Sequence, residues 1–158
     1  MRQMLQEYQR ILVAVDGSES ANRALRKAVA VAKRNDATLF ITHVIDTRAF
    51  QPYEAFDASV SKSAKSEANS TLNACKLYAE NHGLSDVHLL LEHGSPKKLI
   101  ARDLPNDYDI DLIMLGATGL NTVERFFIGS VSENVVRSAL CDVLVVRTDT
   151  ENNYEIGH

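Results

Sequence analysis

Leu112-Ile113-Met114-Leu115-Gly116-Ala117-Thr118-Gly119, followed after nine residues by Gly129-Ser130, is the stretch on which the reading of this chain turns. Its first four residues form an unbroken apolar run closed by a glycine, the pattern of a strand covered on both faces. Ser130-Val131-Ser132-Glu133-Asn134-Val135-Val136-Arg137 has helical spacing, with Val131, Val135 and Val136 expected on one inner face. Glycines at the end of a strand and at the start of a helix suit a phosphate. Glycine lets the backbone approach closely, and the first N–H groups of a helix have no partner within it.

Outward from this stretch the chain alternates between two periods. Ile11-Leu12-Val13-Ala14-Val15 reads as a buried strand. Asp16-Gly17-Ser18-Glu19-Ser20 turns it into a helix, with Ser18 or Ser20 as N-cap and Ala21, Ala24, Leu25, Ala28, Val29 and Ala32 as its apolar stripe. Residues 38–44 read as strand two and 57–82 as a long helix. That helix buries Val60, Ala64, Ala68, Thr71, Leu72, Cys75 and Ala79, and Gly83 is its C′ residue. Strand three is expected at 87–91. A short helix then starts at Ser95-Pro96, turns Leu99, Ile100 and Leu104 inward and is stopped by Pro105. Strand four at 111–115 and strand five at 143–146 complete the pattern, and no internal repeat is visible. Strands alternating with helices predict an α/β, Rossmann-like fold: an open five-stranded parallel sheet with helices on both faces and right-handed crossovers, in the order 3-2-1-4-5. The winding then reverses between strands one and four, where open α/β sheets bind their ligands.

Composition places the chain among single-domain soluble proteins: 158 residues, 45% apolar and 24% charged. The net charge is −4 and no basic block stands out, so binding to nucleic-acid backbones is not expected. An anionic ligand has to be held by local amides and a metal. No apolar run has membrane length, and residues 1–10 contain no signal-peptide core, which together predict a cytoplasmic protein. Cys75 and Cys141 fall on apolar positions and read as buried, reduced thiols.

Two common phosphate loops are missing. There is no G-x-x-x-x-G-K-[ST], and the turn after strand one lacks the later glycines of G-x-G-x-x-G. What is present, G-x2-G-x9-G-[ST] at Gly116, Gly119, Gly129 and Ser130, resembles the ATP-binding signature of the universal stress protein family. The likeness extends over Val13-Ala14-Val15-Asp16-Gly17-Ser18-Glu19, over His43-Val44-Ile45-Asp46, and from Gly129-Ser130-Val131-Ser132-Glu133-Asn134-Val135 to Val143-Leu144-Val145-Val146-Arg147. It spans residues 10–147, leaving 1–9 as an extension and 148–158 as a flexible tail.

The resemblance implies an adenine nucleotide alpha hydrolase-like fold that binds ATP (or AMP or ADP) together with Mg²⁺ (or Mn²⁺). It places Gly116 and Gly119 against ribose and phosphates. Gly129, Ser130, Val131 and Ser132 would meet phosphate oxygens, the serines through N–H and hydroxyl groups. Asp16 would sit near the ribose and the divalent cation, and Ala14, Val15 and Val44 along the adenine slot. Where the family commonly has proline before the last strand's valine, this chain has Asp142.

Other residues read more plainly. Asp16 serves equally as a cap for helix one, Arg125 as an exposed arginine without a role, and His43 as a satisfied structural histidine. The aromatics of residues 50–56 read either as a lid over the base or as a cover for the sheet edge. A nucleotide-dependent stress-response regulator acting through protein partners is the leading functional reading. A nucleotide-free dimeric interaction scaffold and a slow ATPase stay open beside it, because apart from Asp16 the sequence shows no evident general base. The edge strand Val143-Leu144-Val145-Val146 is too apolar to face water, which predicts a homodimer paired through it.

Overall fold

The apolar runs become five parallel strands: β1 (Arg10–Ala14), β2 (Thr38–Asp46), β3 (Val87–Gly94), β4 (Leu112–Gly116) and β5 (Asp142–Val146). They pair in the expected order β3-β2-β1-β4-β5, with Val13 lying between Ile41 and Met114. The computed structural model describes residues 7–47, 58–118 and 128–149 and, in the second helix, side chains from residue 61 onward. Strand β3 runs past Leu91 to Gly94, because it stays in register with β2 as far as Asp46.

Alternation along the strands divides the core in two. Ile11, Val13, Leu39, Ile41 and Met114 point to the face covered by α1 (Glu19–Asn35) and α2 (Ala58–Asn81). Leu12, Phe40, Ile113 and Leu115 point to the other face. Covering that second face are a helical segment at 96–107, called α3, and α4 (Ser130–Ser138).

Each helix has an identifiable local cause. Ser18 caps α1: its Oγ accepts the Ala21 N–H at 3.1 Å, an interaction of about 1 kcal/mol. The whole predicted stripe of α1, from Ala21 to Ala32, is buried. Helix α2 buries Ala68, Leu72, Cys75 and Ala79, while Thr71 is half-buried. It closes as the glycine promised. Gly83 has φ +85°, its N–H bonds to the Glu80 carbonyl, and the Leu84 N–H reaches back to Ala79, the Schellman pattern.

Two expectations are corrected. Pro105 does not stop α3, which runs as an α turn (Pro96–Lys98), a π stretch (Leu99–Asp103) and a further α turn (Leu104–Asp107). In the wider turn the Leu104 N–H bonds to Leu99, giving the proline ring room that a regular helix denies it. Val136 is not on the inner face of α4: it is 53% exposed, while Val135 is fully buried and Val131 partly so. A residue adjacent to a buried one on a helix is rotated by about 100°, and α4 turns it outward.

Because the space at Gly83 is open apart from the mobile end of Lys33, only its positive φ resists substitution. Gly83→Ala is therefore expected to lower stability by about 1–2 kcal/mol in a denaturant titration, and Gly83→Asn by less.

Candidate functional site

The carboxyl ends of β1 and β4 meet where the sheet order reverses, so the predicted crevice lies between the Ala14-Val15-Asp16-Gly17 turn and the residues after Gly116. Ala14 and Val44 are brought together on the side of the sheet covered by α3 and α4. Val15 is not with them. It is buried among α1 and α2, and its N–H is bonded to the Thr42 carbonyl at 2.9 Å.

Gly116 has a strict steric reason to be glycine. A Cβ there would sit 2.6 Å from the Ser20 carbonyl oxygen and 2.7 Å from its carbon, so the end of β4 lies flush against the first turn of α1. Each of the three residues that follow out of the strand is tied down. The Gly116 carbonyl accepts the Ser132 hydroxyl at 2.8 Å in a buried contact. The Ala117 carbonyl accepts the Gly129 N–H at 2.6 Å. The Thr118 N–H donates to Ser20 Oγ at 3.2 Å.

These bonds place Gly129, Ser130, Val131 and Ser132, the start of α4, beside the end of β4. Gly129 is the N-cap residue and has no side chain with which to cap. Among the described residues, the amides of Ser130, Val131 and Ser132 have no hydrogen-bond partner, whereas Glu133 N–H is held by the Gly129 carbonyl. The geometry thus offers a short row of donors at the positive end of a helix dipole. The Ser132 hydroxyl proton is committed to Gly116, so from this residue only the amide is free for an anion. Gly119, Arg125 and the aromatic stretch 50–56 lie outside the described residues.

Asp16 is partly exposed at the mouth. Its Oδ1 accepts the Ser18 N–H at 2.9 Å, which props the turn into α1, and the capping itself is done by Ser18. One carboxylate oxygen remains for an oxygen-seeking cation. Among the described residues, no group of three or more His, Cys, Asp or Glu side chains stands ready to hold a metal. A divalent ion fits here only as one that arrives with a phosphate ligand and keeps several waters.

Sequence reasoning missed Ser20, beyond offering it as a cap, and misjudged His43. Among the described residues, the buried Nδ1 atom of His43 has no hydrogen-bond partner, so the expectation of a satisfied histidine is corrected. Burial lowers its pKa, while the carboxylates of Asp16 and Glu67 pull in the opposite direction. A separate cavity of about 300 Å³ opens between α1 and α2, lined by Asn22, Leu25, Arg26, Thr71, Cys75 and Tyr78, and it touches the β1–α1 turn through Gly17. Burial pushes the Cys75 thiol up to about 11. Cys141 is only half-buried, and both cysteines are free.

The lowered His43 pKa has a definite sign. The folded state prefers the neutral ring, so its contribution is full above about pH 6.5 and is lost as pH falls toward the lower folded-state value. Cooling of the melting transition between pH 7.5 and pH 5.5 is expected to be smaller in His43→Gln than in the unmodified chain. Equal drops in calorimetry would contradict this.

The model of the universal stress protein family matches residues 7–147. A putative universal stress protein of Staphylococcus aureus (strain USA300) is 53% identical over 142 residues, covering 90% of this chain and 86% of that protein. Among solved structures, the universal stress protein UspA from Lactobacillus plantarum superposes with a TM-score of 0.81 at 32% identity, covering 90% of this chain and all of that one. A universal stress protein solved in complex with cAMP superposes with a TM-score of 0.69 at 26% identity, over 89% of this chain and 98% of its own. With the predicted sheet order observed and the family pattern running through nearly the whole chain, this protein belongs to the universal stress protein family.

Proposed function

We propose that this protein is an ATP-binding regulator of the stress response, cytoplasmic, that holds ATP (or AMP or ADP) with Mg²⁺ or Mn²⁺ in the crevice between β1 and β4 and acts through protein partners. The observation that carries this reading is the uncapped start of α4, with the amides of Ser130, Val131 and Ser132 next to the tied-down end of β4. In the proposal these amides, with Gly129, receive the phosphates. Ala14 and Val44 flank the base from one side of the sheet and Val15 underlies it from the other. Gly116 brings the backbone close, and Gly119 completes the motif. The free oxygen of Asp16 takes the cation, which would reduce the ligand's charge. A relative of the same fold was solved with cAMP, an adenine nucleotide, which supports the ligand class.

Magnitudes favour local donors over overall charge. The protein and a triphosphate are both negative, but charges beyond about 8 Å are largely screened at physiological salt. Charge-assisted hydrogen bonds contribute about 1.5–3 kcal/mol each, so a few outweigh what remains of the repulsion.

The proposal includes a homodimer built through β5. That strand is the sheet's open edge; Leu144 on it is 42% exposed, and Leu140 just before it is 96% exposed. Apolar side chains at an unpaired edge favour pairing with a second copy. Asp142, at the place where the family commonly has proline, accepts the Tyr8 hydroxyl at 2.8 Å and so has a structural use at the strand's start.

The chain has no Trp and 5 Tyr, so bound nucleotide shows as excess absorbance at 260 nm, and acid extraction identifies it. Mg-ATP at about 100 times its Kd is expected to stabilise the protein by about 2.7 kcal/mol. Gly129→Val should abolish both effects; their absence from the unmodified protein would favour a nucleotide-free scaffold, and steady phosphate release lost in Gly129→Val would favour a slow ATPase. Separately, Leu144→Glu is expected to convert a dimer to a monomer at micromolar concentration in sedimentation, and a monomeric parent protein would contradict the dimer.

A further inference from the structure

The side chain of Ser20 has no task in the helix that carries it. Ser18 caps α1, so the capping bond is made without Ser20. Its Oγ instead accepts the N–H of Thr118, a residue 98 positions away, while its main chain packs against Gly116. On the other stem, Ser132 holds the Gly116 carbonyl and Gly129 holds that of Ala117.

We propose that Ser20 is a positioning residue of the nucleotide site: it acts on the ligand's phosphates through Thr118, by fixing the direction in which the chain leaves β4. This inference rests on the nucleotide reading given above. Without the Ser20 hydroxyl, the Thr118 amide loses its acceptor, and among the described residues the bonds at Gly116 and Ala117 are left to define the exit. The base-binding side of the crevice, with Ala14 and Val44, is not touched by this bond. The effect therefore falls on phosphates rather than on the base.

The test uses the full chain with Ser20→Ala and Ser20→Thr. Titration of Mg-ATP is expected to show about tenfold weaker binding in Ser20→Ala and recovery to within about threefold in Ser20→Thr, which keeps a hydroxyl. Adenosine binding should change by less than about twofold in either variant. In nucleotide-free protein, amide hydrogen exchange at Thr118 should be at least about tenfold faster in Ser20→Ala, with only a small drop in melting temperature. That readout does not depend on any ligand. ATP affinity in Ser20→Ala within twofold of the unmodified protein, or unchanged Thr118 exchange, would overturn the role of Ser20 alone. If the unmodified protein binds no adenine nucleotide, the nucleotide reading falls and the role of Ser20 falls with it.

Discussion

The contact between Gly116 and Ser20 is the constraint on which the rest of the site depends. At the end of β4 there is no room for a side chain, because the first turn of α1 occupies that space. A strand end pressed against a helix start fixes the height of the crevice floor on that side. It also brings Ser20 within reach of Thr118, and the carbonyls of Gly116 and Ala117 are taken up by Ser132 and Gly129. A loop whose two stems are bonded to each other begins and ends in one place. Whatever residues lie between, the amides at the start of α4 are therefore presented beside β4.

This arrangement ties the backbone down with hydroxyls and leaves helix amides open. Three serine hydroxyls around the crevice are engaged with the backbone: Ser132 with Gly116, Ser20 with Thr118, Ser18 with Ala21. What stays open at the start of α4 includes the main-chain amides of Ser130, Val131 and Ser132. Backbone donors are rigid once their helix is in place, so they lose little freedom when an anion arrives. His43, half-buried and with Nδ1 unpartnered among the described residues, has its pKa lowered by burial. The structure thus concentrates its polar interactions in fixing donors and leaves few side chains whose charge a ligand would have to displace.

The fold was legible because each strand is a continuous apolar run and each helix carries its stripe at helical spacing. Val13 and Ile113 could belong nowhere but the middle of a covered sheet, and the order 3-2-1-4-5 followed from right-handed crossovers. Local turn chemistry was equally readable, as at Ser18 and Gly83. What escaped was tertiary. Pro105 reads as a breaker because a proline ring conflicts with a regular helix; only the structure reveals the π stretch that accommodates it. Val136 sits beside Val135 in sequence but turns outward, since a pair of neighbours cannot tell which one faces the sheet. The partner of a serine hydroxyl is chosen by packing across the molecule, so neither the Ser132–Gly116 bond nor the Ser20–Thr118 bond has any trace in spacing. Near the proposed site, the structure brings Gly116, Gly129 and Ser132 together at the end of β4 as the motif spacing suggested, but puts Val15 on the opposite face from Ala14 and Val44, and it engages the Ser132 hydroxyl with the Gly116 carbonyl.

A crystal structure of the protein with Mg-ATP tests the central claim most directly. We expect density for the phosphates within hydrogen-bonding distance, about 2.7–3.2 Å, of the Ser130 and Val131 amides, with Ser132 still bonded to the Gly116 carbonyl. A crevice that stays free of nucleotide, or ATP lodged instead in the cavity between α1 and α2, would contradict it.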